Sequence, residues 1–225
     1  MPGKKSFEWT VALILFGVLF LGVSDTQLVA PLLPLIAQDL GVTPGRAGII
    51  VTAYSLAAAA FALFVGPLSD RMGRKKVLVS GLAAFSLASF LTYHVPSFSA
   101  LVILRAMTGF SAGTLSTCAL SFAGDYYPYD QRGRAMGVLS MGYFAAFVVG
   151  VPVGALAASR FGWHWVFGVL SLGAVVMLVI AVVRLPLDRI PAKSERSRRH
   201  LLDHFARKDR LAGMAAAFLT SGGVV

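Results

Sequence analysis

The sequence is poor in charge and in cysteine. Only 13% of its 225 residues are charged and 57% are hydrophobic, whereas an average soluble domain is about a quarter charged. Its single cysteine, Cys118, excludes an internal disulfide framework and a metal site built from several cysteines. The sequence also lacks a nucleophile elbow, a phosphate-binding loop and an H-E-x-x-H helix. We therefore expect neither an enzyme nor a bound cofactor or metal, and a water-soluble fold does not fit this composition.

The sequence contains long apolar segments. Six segments reach the length of about 20 residues that a helix needs to cross a bilayer. They cover residues 9–36, 46–69, 77–95, 98–123, 134–159 and 164–185. The segments lack strict alternation of polar and apolar residues and are about twice as long as the strands of a membrane barrel. The sequence therefore predicts an all-α integral membrane protein with six spans.

Lysine and arginine are distributed unevenly between the two sides of these spans. The net charge of +10 would by itself admit a nucleic-acid binder. However, 17 of the 20 basic residues flank the spans on the side of the N terminus, and only Arg46 and Arg160 flank them on the other side. The positive-inside rule then predicts a cytoplasmic N terminus in a multi-pass protein of the plasma membrane, the inner membrane of a bacterium. The bilayer, and not a nucleic acid, is the expected partner of this charge pattern.

The distribution of charge also predicts the organisation of the chain. Residues 1–186 are expected to form an N-terminal six-helix bundle. Residues 187–210 are rich in charge and are expected to form a basic cytoplasmic linker. An apolar segment follows at 211–225, but about 15 residues are too few to cross a membrane. We interpret it as the start of a truncated seventh helix.

The connection after the second span carries a recognisable motif. Residues 66–76 read GPLSDRMGRKK, which resembles the signature loop G-x-L-x-D-R-x-G-R-K/R of the major facilitator superfamily. The resemblance implies one six-helix half of a twelve-helix fold, in which each half contains two inverted three-helix repeats and the substrate cavity lies between the halves. The second half would be either a missing C-terminal half or a second copy of the chain.

The resemblance also implies a role for this loop as a gate. In the family, the loop holds the cytoplasmic gate closed against the second half. The positions that carry this prediction here are Gly66, Asp70, Arg71, Gly73, Arg74 and Lys75. The alternative is that these charges only enforce the topology of the chain.

Small residues form stripes on the fourth and fifth spans. Gly109 and Gly113 follow Arg105 at intervals of four, similar to the family pattern R-x-x-x-G-x-x-x-G. Gly150, Pro152 and Gly154 stand in a G-V-P-V-G run that is similar to the motif of proton-coupled antiporters, although that motif has an uninterrupted Gly-Pro pair. We predict that these residues pack helices closely together. The nearest resemblance is to the drug and sugar efflux permeases, which are proton antiporters.

Two ionisable residues, Asp25 and Arg105, lie well inside predicted spans. A charge there costs at least about 2.5 to 3.5 kcal/mol, so each is a functional candidate. Both fall in the outer half of the bilayer at 1.5 Å of rise per residue. In the family the first and fourth helices line one cavity, so Asp25 and Arg105 are expected to pair or to face one substrate, together with Gln27. We interpret Asp25 as a coupling site for a proton or cation, with direct substrate recognition and a permanently ionised structural pair as the alternatives.

These observations predict a secondary active transporter. The leading hypothesis is proton-coupled efflux of small amphipathic compounds, drugs or sugars, by alternating access. The alternatives are a proton symporter for a sugar or organic anion and a membrane receptor or assembly subunit that transports nothing.

Overall fold

The computed structural model describes residues 7–186, and every regular element in that range is helical. Six helical stretches in it are long and apolar enough to cross a membrane. We number them as spans 1 to 6 and give their helices in chain order. Span 1 is α1 (Trp9–Asp39); span 2 is α2 (Pro44–Ala47) and α3 (Ile49–Met72); span 3 is α4 (Arg74–Tyr93); span 4 is α5 (Phe98–Tyr126); span 5 is α6 (Tyr129–Ala145), a π-helical turn (Ala146–Gly150) and α7 (Val151–Phe161); span 6 is α8 (Trp163–Arg184).

The number and order of the predicted spans are confirmed, whereas several predicted ends are wrong. Span 5 begins at Tyr129 and span 3 at Arg74, so residues assigned to connections form the first turns of helices. The apolar run marks only the part of a helix that lies in hydrocarbon, and polar turns extend beyond it. The predicted linker at 187–210 and the start of a seventh helix at 211–225 lie outside the described residues.

The packing of the six spans follows a two-fold pattern. Span 4 packs on spans 2 and 3. In the same way, span 1 packs on spans 5 and 6. Spans 1 and 4 also contact each other, as do spans 3 and 6. Exchanging spans 1–3 with spans 4–6 leaves this set of contacts unchanged. The predicted pair of three-helix repeats is therefore confirmed.

Two of the connections between spans consist of one glycine each, and these glycines have the same geometry at opposite ends of the bundle. Gly73 joins spans 2 and 3 with φ +95°, and Gly162 joins spans 5 and 6 with φ +90°. Each glycine N–H donates to the carbonyl four residues earlier, on Ser69 and Ala158 respectively. Residues with a side chain rarely adopt this φ. The signature-loop glycine at position 73 thus has a conformational role that the sequence left unspecified.

Span 5 is interrupted by its π-helical turn, which the sequence prediction of one continuous helix missed. The Val151 N–H donates to the carbonyl of Ala146, five residues earlier. Pro152 follows directly, and a proline lacks an N–H and clashes with the carbonyl four residues before it in a regular α-helix. The wider turn ahead of Pro152 accommodates the ring.

Candidate functional site

Asp25 of span 1 and Arg105 of span 4 form a buried ion pair. The Arg105 Nη1 atom donates to Asp25 Oδ1 at 2.8 Å, and the two side chains are 1% and 0% exposed. The contact between spans 1 and 4 brings the two charges together. Pairing offsets part of the cost of placing each charge in an apolar bundle.

The pair leaves two polar atoms without a partner. Within residues 7–186, the second carboxylate oxygen of Asp25 and the Nε of Arg105 are buried and make no hydrogen bond. An unsatisfied buried polar group costs about 1 to 3 kcal/mol, so a hydrogen-bonding partner that reached it would be stabilised. The open oxygen of Asp25 can accept a hydrogen bond once it becomes accessible.

Two aromatic rings contact the guanidinium of Arg105. Its Cζ atom lies 4.6 Å from the ring centroid of Tyr54 in span 2 and 5.5 Å from that of Phe167 in span 6. Cation–π contacts of this kind are stronger where water is excluded. Four spans therefore converge on one side chain, which fixes Arg105 in position beside Asp25.

The hydroxyl of Tyr54 is hydrogen-bonded to Thr26, the residue after Asp25. The two oxygens are 2.5 Å apart. The Thr26 hydroxyl donates its only hydrogen to the carbonyl of Gly22 at 2.9 Å, so Tyr54 must be the donor to Thr26. Neither residue was singled out as a site residue from the sequence.

Gln27 does not join this network. Its side chain is half-buried, and it makes no hydrogen bond within the described part of the chain. Pro31, four residues later, cannot donate to the Gln27 carbonyl. The role of Gln27 in the cavity stays a prediction.

The glycine stripes lie where helix backbones approach closely. A Cβ at Gly113 would lie 2.5 Å from the carbonyl oxygen of Ala58, and a Cβ at Gly109 would overlap the carbonyl of Tyr54. On span 5, Gly150 lies against Ser24 and Gly154 against Leu28. A side chain at any of these four glycines would therefore meet the neighbouring helix, and their packing role stays a prediction.

Pro152 differs from the glycines of its run. It is exposed in the described bundle and lies at the start of α7, directly after the π-helical turn. Its location suits a role in the shape of span 5, and its packing role stays a prediction.

The signature loop forms a second cluster of charges, at the end of the bundle where span 1 begins. The guanidinium of Arg74 contacts Asp70 at 2.8 Å, Asp125 at 2.5 Å and the hydroxyl of Ser69 at 3.3 Å. Lys75 Nζ donates to the carbonyls of Val182, at 2.9 Å, and Leu185, at 2.6 Å. The loop thus ties span 3 to the ends of spans 2, 4 and 6.

The other predicted gate residues make fewer contacts. The side chain of Arg71 is exposed and has no hydrogen bond or ion pair with residues 7–186. Gly66 has open space where a Cβ would be. Both would be available to a second half of the fold, and their gating role stays a prediction.

Sequence reasoning missed Tyr54, Thr26 and Phe167 as neighbours of the ion pair and missed Asp125 as a partner of Arg74. Asp125 does lie on the stripe of small and polar residues that starts at Arg105, with a spacing of four. That spacing was the available signal. A tyrosine and a phenylalanine in apolar helices carry no comparable signal.

The chain is similar to known membrane transporters. The family model for the Major Facilitator Superfamily matches residues 15–225. The 4-hydroxybenzoate transporter PcaK of Pseudomonas aeruginosa is 32% identical over 183 residues, which are 80% of this chain and 39% of PcaK. The multidrug transporter protein MdtP of Bacillus subtilis is 31% identical over 180 residues, 80% of this chain and 33% of MdtP. The chain thus spans less than half the length of these relatives.

A solved structure shows the same fold at lower sequence identity. It is the crystal structure of a bacterial homologue of the human lysosomal transporter Spinster, in an inward-facing and unoccupied conformation. The TM-score is 0.71 at 18% identity, and the match covers 85% of this chain and 47% of that one.

Proposed function

The chain belongs to the major facilitator superfamily, and from that premise we propose that it is one six-helix half of a proton-coupled exporter of small amphipathic compounds. Membership of this family favours a transporter over an enzyme. The observation that carries the proposal is the buried pair of Asp25 and Arg105, whose carboxylate has one oxygen without a hydrogen bond. A carboxyl group that is closed off in one conformation and accessible in another can take up a proton on one side and release it on the other.

Efflux is the direction that the sequence resemblance favours. The G-V-P run of span 5 is similar to that of efflux permeases, and a multidrug transporter is among the relatives. The structure adds a π-helical turn ahead of Pro152, and such turns often occur at functional sites. This turn packs beside Ser24, the neighbour of Asp25, through Gly150.

A proton symporter for an organic anion is the second candidate. A relative of similar identity is a 4-hydroxybenzoate transporter. The Arg105 guanidinium has an unpartnered Nε, and arginine is well suited to binding a carboxylate. This candidate assigns Arg105 to the substrate and Asp25 to the proton.

The orientation and the partner are parts of the same proposal. The bias of lysine and arginine supports a cytoplasmic N terminus in the bacterial inner membrane. Spans 2 and 5 are the least buried in the described bundle, and they flank spans 1 and 4. A second six-helix half, either C-terminal or a second copy of the chain, would cover these apolar faces.

The test measures transport in everted bacterial membrane vesicles that contain the complete transporter. We expect an imposed pH gradient to drive transport of an amphipathic dye, and Asp25→Asn to abolish the dependence on the gradient. Asp130→Asn is the matched control, because Asp130 is exposed in the first turn of span 5. Unchanged proton-driven transport in Asp25→Asn would eliminate the coupling role. Gradient-driven uptake of 4-hydroxybenzoate without dye efflux would favour the symporter.

A further inference from the structure

The Asp25–Arg105 pair is closed off within this one bundle. Both side chains are at most 1% exposed, although the faces of spans 2 and 5 are largely uncovered. Asp25 is therefore inaccessible in this arrangement, both to water and to a substrate in a cavity beside these faces. Some side chain must therefore move before the pair can take part in transport.

Tyr54 contacts the pair and is itself held by two further contacts. Its ring lies over the Arg105 guanidinium at 4.6 Å, and its side chain is nearly buried. The backbone of span 2 at Tyr54 packs directly on Gly109, one helical turn after Arg105. Tyr54 is thus anchored at its backbone by a close helix contact and at its hydroxyl by Thr26.

Thr26 links the hydroxyl of Tyr54 to the helix segment that carries Asp25. It follows Asp25 in span 1, and its side chain is only half-buried, whereas that of Asp25 is fully buried. The hydrogen bond between Tyr54 and Thr26 therefore lies at the boundary between the enclosed pair and the accessible part of the bundle. Phe167, the other ring over Arg105, is fully buried and has no polar group to release.

We propose that Tyr54 is a cover over the Asp25–Arg105 pair, and that breaking its hydrogen bond to Thr26 is the step that opens Asp25 to protons or substrate. A single hydrogen bond between neutral hydroxyls is weak enough to break thermally. Rotation of the tyrosine side chain then uncovers the open oxygen of Asp25 and weakens the cation–π contact that holds Arg105. Tyr54 and Thr26 are positioning residues in this proposal, and their part in transport rests on the proposed function.

The test measures access to Asp25 without any transport. The purified protein in detergent is treated with dicyclohexylcarbodiimide, which reacts with protonated carboxyl groups in apolar surroundings, at one mildly acidic pH. Labelling of Asp25 is followed over time by peptide mass spectrometry, with Asp25→Asn as the blank. Because this readout needs no gradient and no substrate, it remains valid if the proposed function fails.

Four variants separate the hydrogen bond from simple packing. Thr26→Val removes the acceptor at nearly constant size, and Thr26→Ser keeps it. Tyr54→Phe removes the donor and keeps the ring, whereas Tyr54→Leu removes both. We expect severalfold faster labelling of Asp25 in Thr26→Val and Tyr54→Phe, the fastest labelling in Tyr54→Leu, and the wild-type rate in Thr26→Ser.

Two results would overturn the proposal. One is a wild-type labelling rate in both Thr26→Val and Tyr54→Phe. The other is a rate in Thr26→Ser as high as in Thr26→Val, because loss of packing and not loss of the hydrogen bond would then open the site. An unchanged elution profile in detergent and an unchanged unfolding temperature establish that each variant is folded, and Tyr54→Phe serves if Tyr54→Leu does not fold.

Discussion

In the described bundle, two arginines pair with aspartates, in opposite surroundings. Arg105 meets one carboxylate, and both side chains are fully buried. Arg74 meets two carboxylates, on Asp70 and Asp125, whose side chains are 44% and 55% exposed. The buried charges depend on each other, whereas Asp70 and Asp125 are about half exposed and retain much of their hydration, although Arg74 itself is only 18% exposed. Breaking and re-forming the ion pairs of Arg74 therefore costs little free energy, which suits a loop that is proposed to act as a gate.

The largest expected effect comes from removing one member of the buried pair. Arg105→Met leaves Asp25 as an uncompensated buried acid, so we expect a loss of about 3 to 5 kcal/mol in unfolding free energy. Replacing both residues, Asp25→Asn with Arg105→Met, should cost clearly less, because no charge then stays unpaired. Denaturant titration in detergent, followed by tryptophan fluorescence, measures both, with Arg74→Met as the control at the exposed cluster. Equal losses at the two arginines would refute the distinction between the two regions.

A smaller effect is expected from the packing around the buried pair. A Cβ at Gly109 would overlap the backbone of Tyr54, so Gly109→Ala must push spans 2 and 4 apart, at a cost of about 1 to 3 kcal/mol. Gly137→Ala is the matched control, since it lies in a helix with open space around it and should be neutral or slightly stabilising. The same denaturant titration compares them. Similar stability of the two variants would mean that spans 2 and 4 do not need their close approach at Gly109.

The smallest effect is expected at the exposed cluster. Asp70→Asn and Asp125→Asn should each lower the unfolding free energy by less than about 1 kcal/mol, because both pairs are screened by solvent. The difference from wild type should shrink further in high salt. Arg71→Gln is the control, as Arg71 is exposed and unpaired in the described bundle. A loss that persists in high salt would show that the cluster behaves like the buried pair.

The sequence located the two charges of the buried pair more readily than their surroundings. A charged residue in an apolar helix is easy to identify as a functional candidate, because placing a charge in a membrane span costs free energy. The family resemblance then suggested that Asp25 and Arg105 share a cavity. Tyr54 and Phe167 escaped notice because aromatic residues are common in membrane helices, and no spacing along the chain records a contact between spans 2, 4 and 6.

The signature loop was predicted in part. Its residues and its place between spans 2 and 3 followed from the motif, whereas the contact of Arg74 with Asp125 joins positions 51 residues apart. The motif does not record that Gly73 has a positive φ, which only the structure shows and which recurs at Gly162. The role of the loop as a gate stays a prediction, since its test requires the second half of the fold.

Composition and apolar pattern determined that this protein is a six-span helical bundle and that Asp25 and Arg105 are its anomalous charges, and the motif at residues 66–76 gave the family resemblance. Apolar length, unpaired charge and local motifs are properties of single helices, and they are written directly in the chain. Only the tertiary structure decided that these two charges pair, that the Tyr54 ring lies over the Arg105 guanidinium and that the Tyr54 hydroxyl is hydrogen-bonded to Thr26. Those contacts depend on how the helices are rotated and offset against one another. Interhelical packing sets that arrangement, and no single segment encodes it.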